Sequence, residues 1–498
     1  MSANEKRVLS RRHFLRFATV GAGAVLAACQ PQIVEVTKIV EKEKIVEKPV
    51  EKVVKETVVV EKQVEKVVEK TVVVQKEVVK EVAKSAPVVR WVWQLPTSGM
   101  DDLLKALNEF QNEKGIRVQF EPNPGDWNAI SQKILAEFAA GNAPDLWINY
   151  GPYARLCIDK QIAMPYNDFI DKENYDLSDY VKGQLDAGTK GGKMYGLPNY
   201  CGIWGLWYNK DLFDEAGIAV PDKNTWDIDK YLSAAQKLTK RDAKGFMTQA
   251  GTEPAQSLEF GLSAAIWSYG GEVADPNDLH ICRMSEPLAL EALQMEQDIK
   301  WKYKVVPSAA ESAANNTAGG WGTFPSGKSA MREDGAWFFC CNMDAVKDKF
   351  VYGVAPHWKG PGAQGRRLTF LTTDLWLASS KAKYPDAVWE FVKWCAGPVF
   401  GQFHITWEHL QPSRKSLAPL WEKAVKEFAV SKNPKMENLD VSPFIEGYNY
   451  ARPMFYWECH TDAMEILNPV LDQIYATGKG SVQKLIPEVC AKISKIAC

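Results

Sequence analysis

Three stretches of this 498-residue chain carry residue types that could do chemistry, and each lacks the context that the chemistry needs. Gly322 to Ser329, GTFPSGKS, fits G-x-x-x-x-G-K-[ST], the spacing with which backbone N–H groups and a lysine cradle nucleotide phosphates. That cradle requires a buried strand just before it. The preceding residues, AANNTAGGW, make none, and Pro325 removes one N–H donor, so the run reads as a turn entering a strand at Ala330-Met331. His404, Glu408 and His409 form H-x-x-x-E-H, one residue too long for the inverted zinc-protease spacing. With Trp407 among them, they read as a helix end facing a cleft or solvent. Glu333 beside Asp334 is a carboxylate pair without a legible acid/base partner and reads as a solvated turn. There is no G-x-S-x-G, and six scattered histidines offer no metal-ligand spacing. No catalytic, cofactor or metal site is legible.

The elements that would position functional residues begin late. Arg11-Arg12 precedes a short apolar run ending Leu26-Ala27-Ala28-Cys29, the pattern of a twin-arginine export signal over 1–29. The L-A-A-C ending resembles a bacterial lipobox, which implies lipid on Cys29. Residues 30–86 are a Val/Glu/Lys-rich stalk without aromatics, holding a near repeat of fourteen residues. Val53, Thr57, Val60, Val64 and Val67 follow alternating spacings of four and three, so the stalk reads equally as a coiled-coil seam serving oligomerisation or as a solvated spacer. Residues 87–498 hold all eighteen tryptophans and are long enough for two lobes. They open β-α-β-α-β: strands at 88–93, 116–120 and 145–148, helices at 100–114 and 127–140. In the first helix Leu103, Leu104, Leu107 and Phe110 share the inward face. Open α/β sheets bind ligands beyond the carboxyl ends of their strands, here 94–98 and 149–153. A net charge of −2 gives no case for nucleic acid. Ten cysteines with no C-x-x-C leave disulfide connectivity open, and adjacent Cys340-Cys341 are poorly placed to pair with each other.

The run YGLPNYCGIWGLWYNKDLF, Tyr195 to Phe213, joins an aromatic strand to a helix start, and Gly202 and Gly205 leave room for Trp204 and Trp207 to face a groove. Pro198, Tyr208, Asn209, Lys210, Ala216, Gly217, Pro221, Thr225 and Trp226 follow in the order of the family 1 extracellular solute-binding proteins of ABC importers, which this chain resembles. Further landmarks agree: A-x-G-x-A-P-D-L-W ending at Trp147, W-x-x-G-G-E at Trp267, F-x-x-G-K-x-A-M at Phe324 and L-Q-P-S-R at Leu410. The resemblance covers nearly all of 88–498 and none of the stalk. It implies an α/β, two-lobe periplasmic-binding-protein fold of the type II kind, with a ligand cleft between the lobes. Lobe one would comprise about 87–205 and 352–400, and lobe two about 206–351 and 401–498.

Sugars show C–H faces between rings of hydroxyls, so their sites join flat aromatics to planar polar groups. The segments that the family brings to its cleft supply Asn149, Tyr150, Tyr200, Trp204, Trp267, Trp321, Trp337, Asp374, Trp376, Trp407 and Tyr456 as candidates. Trp204, Trp337 and Trp407 would be stacking platforms; Gln94, Asn149 and Asp374 would fix hydroxyls. Arg452 would hold a carboxylate if the sugar is acidic. The resemblance further implies a permease and an ATPase as partners, and an extracytoplasmic position at the membrane. Two other readings stand beside a carbohydrate carrier: a polysaccharide-acting enzyme, and a binder of another solute such as a polyamine. A stalk-borne adhesin is a third.

Overall fold

The structure, a computed structural model, describes residues 85–94, 98–123, 127–455 and 457–497. The export signal with Cys29, the stalk up to residue 84, and Tyr456 lie outside them.

β1 (Val88–Gln94) alternates valines and tryptophans and pairs in parallel with β2 (Arg117–Asn123) along its whole length, so Gln94 and Asn123 end at one level. Between them runs α1 (Met100–Lys114), with Leu103, Leu107 and Phe110 buried; Leu104 turns to solvent instead of sharing that face. The helix stops where Gly115 takes a left-handed φ of 64° and returns its N–H to Gln111. α2 (Trp127–Ala139) leads to β3 (Leu146–Tyr150), parallel to β1 on its other side.

β4 (Gly196–Asn209) is fourteen residues long and belongs to two pairings. Its Gly196–Ile203 half runs against a later strand; its Trp204–Asn209 half is flanked by β5 (Met331–Gly335) and β6 (Tyr352–Pro356). That later strand, β7 (Thr369–Ala378), lies between β3 and β4, antiparallel to both, and takes β8 (Ala451–Pro453) at its end. The eight strands thus form one sheet in the order β5-β4-β7-β3-β1-β2, with β6 on β4 and β8 on β7. The turn Phe324–Ser326 leads to β5 and follows a helix at Ala309–Asn315, not the strand that a phosphate cradle requires.

One apolar core joins residues 89–197 to 376–400, with Trp91, Trp376, Trp389 and Phe400 at its centre. Others form around Trp358 and Trp457, and around Trp207, Phe339 and Trp421. Trp207 therefore faces core and not the groove. Cys282 and Cys490 form a disulfide across 208 residues, while Cys157, Cys201, Cys340, Cys341 and Cys395 are free thiols. No helix among the described residues is long and apolar enough to cross a membrane.

Candidate functional site

A cavity of about 970 Å³ opens where β1, β2 and β3 end and β4 changes partners. Gln94 and Tyr150, within the segments 94–98 and 149–153 that the strand-end rule indicated, line it together with Trp93, Asn123 and Ile148. The second contribution comes from an irregularity. Thr373 faces Cys201 and Leu375 faces Pro198, so two residues of β4, Asn199 and Tyr200, oppose Asp374 alone. A bulge of this kind re-aims side chains, and Asn199, Tyr200 and Asp374 all reach the cavity. Trp337 supplies a flat wall. It lies on bare backbone, for a Cβ at Gly202 would fall 2.5 Å from its ring and one at Gly335 2.1 Å.

The aromatic lining is continuous. Trp127 meets Tyr150 at 5.6 Å, Tyr150 lies stacked 6.4 Å from Phe260, and Phe260 stands edge-on to Trp337. Trp204 completes the row, 5.8 Å from Trp337, with its buried Nε1 unpartnered among the described residues. Such rings present apolar faces with polar edges, suited to ligands that alternate the two.

Acids dominate the charged lining. Arg332 Nε donates to Asp334 Oδ2 at 2.8 Å and its Nη1 reaches Glu253 Oε2 at 3.4 Å. Glu253 also accepts the N–H groups of Thr323 and Phe324 and the Thr323 hydroxyl. Glu333 accepts Trp358 Nε1 at 3.0 Å, and burial pushes its carboxyl up to about 7. His404 bridges Glu408, 2.6 Å from Nδ1, and Asn199, 2.9 Å from Nε2. Asp374 stands apart. Burial holds its carboxyl well above the ordinary range, and Tyr200, itself raised chiefly by burial, feels its charge.

Of the thirteen side chains expected at a site, Gln94, Tyr150, Tyr200, Trp204, Trp321, Trp337 and Asp374 come together here. Five do not. Asn149 points to the opposite face of β3 from Ile148 and Tyr150, where its Oδ1 accepts Ser131 Oγ. Trp376 shares the face of Asp374 but lies two residues deeper, 5.9 Å from Trp91 in the core. Trp267 is buried in the helix Leu262–Tyr269. Arg452 stacks over that ring and gives its guanidinium to both oxygens of Glu272, so its charge is not free for an acidic sugar. Trp407 is 38% exposed and covers Gly99 at the start of α1, outside the cavity lining. The thirteenth, Tyr456, is outside the described residues.

The sequence reading missed Trp93, Trp127, Asn123, Asn199, Phe260, Glu253 and Arg332. It also placed Glu333 and Asp334 in a solvated turn, whereas both are buried on β5, the strand that flanks β4. His404 and Glu408 do face the cavity, on the π-helical turn His404–Glu408.

Comparison with known proteins agrees with this architecture. Residues 95–399 match the family model described as bacterial extracellular solute-binding protein. A binding protein of Brucella abortus (strain 2308) is 26% identical over 386 residues, 77% of this chain and 86% of its own. The arabinooligosaccharide-binding protein of Halalkalibacterium halodurans is 26% identical over 149 residues, 30% of this chain and 32% of its own. Among solved structures, an ABC substrate-binding protein of Listeria monocytogenes in complex with cycloalternan superposes with a TM-score of 0.67. It is 20% identical, over 82% of this chain and 99% of that one, which establishes the two-lobe fold. With a family match over residues 95–399, more than half its length, this chain belongs to the bacterial extracellular solute-binding proteins.

Proposed function

We propose that this protein is the lipid-anchored, extracytoplasmic solute receptor of an ABC importer, and that its solute is a carbohydrate of more than one ring. The observation that carries this reading is the cavity itself. It offers about 970 Å³ walled by an unbroken aromatic row and edged by Gln94, Asn123 and Asn199. That volume lies at the upper end of small-molecule sites, roughly 300–1,000 Å³, and suits an oligosaccharide better than one sugar. Lobe one (about 87–205 and 352–400) would close on lobe two (about 206–351 and 401–498) by bending at 203–208, 351–356 and 397–403. The closed form, favoured because it binds solute more tightly, would dock on the permease, whose ATPase drives transport. Arg11-Arg12 and Cys29 would set export and anchoring.

Tryptophan fluorescence and melting temperature of the full chain, followed against mono- and oligosaccharides, polyols, polyamines and amino acids, test the solute class. A saturable response to oligosaccharides without product formation is expected. Response to polyamines alone removes the carbohydrate, and consumption of the glycan makes the protein an enzyme. Retention of a Cys29→Ala form in the membrane fraction would remove the lipid anchor.

A further inference from the structure

Among the described residues, each acid on the cavity wall has a partner except one. Glu253 and Asp334 share Arg332, Glu333 accepts from Trp358, and Glu408 from His404. Asp374 is 2% exposed, lines the cavity, and meets no cation or hydrogen-bond donor among the described residues. A buried carboxyl without a partner keeps its proton, and it ionises when a cationic donor reaches it, here from the cavity. Its surroundings select the sign of that partner. Tyr150 sits directly opposite it on β3 and Tyr200 across the bulge on β4. Trp204, Phe260 and Trp337 continue the wall, and the negative faces of such rings attract cations. Arg332, the one arginine lining the cavity among the described residues, is already bonded to two carboxylates. An anionic solute therefore finds no free counter-charge among the described residues that line the cavity.

We propose that Asp374 seats a protonated amine, and that the solute is an amino sugar with a free amino group. This rests on the carbohydrate reading above and narrows it. Neutral hydroxyls can hydrogen-bond with Asp374, but only an ammonium supplies both the hydrogen bonds and a charge that lets the carboxyl ionise in place.

Calorimetric titration of the full chain with a glucosamine oligosaccharide, its N-acetylated counterpart of equal length, an oligogalacturonate and spermidine tests this. The same set is run on Asp374→Asn, whose melting temperature checks its fold. Wild type should bind the free-amine glycan at least about tenfold tighter than the acetylated one. Asp374→Asn should erase that preference by weakening the amine alone. Equal or tighter binding of the acetylated or acidic glycan to wild type overturns the proposal without touching the carbohydrate reading. So does an amine preference that survives in Asp374→Asn. If no glycan binds but spermidine does, and loses affinity in Asp374→Asn, the carbohydrate falls and the amine seat stands. Silence toward every amine overturns the seat.

Discussion

Two neighbouring acidic regions of the cavity wall are held in opposite ways. On β5 the carboxylate of Asp334 has a guanidinium, and Glu253 beside it has the same guanidinium, a hydroxyl and two backbone N–H groups. On β7 the carboxylate of Asp374 meets no hydrogen-bond donor among the described residues, with Tyr150 and Tyr200 opposite it. The backbone explains the contrast. β5 pairs with β4 in unbroken register, and Arg332 stands two residues before Asp334 on the same face. Asp374 sits where the register slips, and of the residues opposite it Asn199 is engaged by His404 while Tyr200 lines the cavity. The satisfied acids are scaffold; the unsatisfied one is an opening in it.

Breaking the scaffold should have the largest effect. Arg332→Met leaves buried Asp334 and Glu253 without their counter-charge and should cost about 3–5 kcal/mol, read by urea unfolding. A loss below about 1 kcal/mol would mean that Arg332 holds neither acid. The next largest effect is a pH slope. Glu333 titrates near 7 in the folded protein and near 4.5 unfolded, so the folded state keeps the proton longer. Stability should fall as pH rises between those values, and Glu333→Gln should flatten that part of the profile of melting temperature against pH. Asp374→Asn sharpens the comparison from the other side. Its folded carboxyl also titrates above its unfolded value, so it too loses stability as pH rises from about 4. The amide should leave the apoprotein as stable or up to about 2 kcal/mol more stable at pH 7. Destabilisation there would reveal a partner that Asp374 needs. Smallest of all, Arg452→Gln opens a pair left about one-third exposed. It should change stability by at most about 1 kcal/mol and solute affinity not at all, by the same titrations.

What the sequence disclosed follows the same divide between regular and irregular backbone. α1 was legible to the residue because Gly115 ends it, and the strand-end rule found Gln94 and Tyr150. Strand parity was equally available and excludes Asn149 once Tyr150 is accepted, for neighbours on a strand face opposite ways. Depth was not available. Asp374 and Trp376 share a face, and only the packing of Trp91 and Phe400 against Trp376 shows that it lies beneath the floor. The slip that turns Asn199 and Tyr200 inward has no signal beyond Pro198. Phe260 and Glu253 come from loop backbone whose course is set by distant contacts, Glu253 by its bonds to Thr323 and Phe324.

β4 has one more consequence. Its fourteen residues are shared between the two halves of the sheet, and Tyr200 and Trp204, which touch the cavity, straddle the point of exchange. On the proposed reading, solute would rest on the fulcrum of the molecule. Filling the cavity would load the same backbone whose bend would set the angle between the lobes, with no relay of contacts needed to announce occupancy. A partner gauging only the outer spacing of the lobes would then learn whether the cargo is aboard without ever touching it.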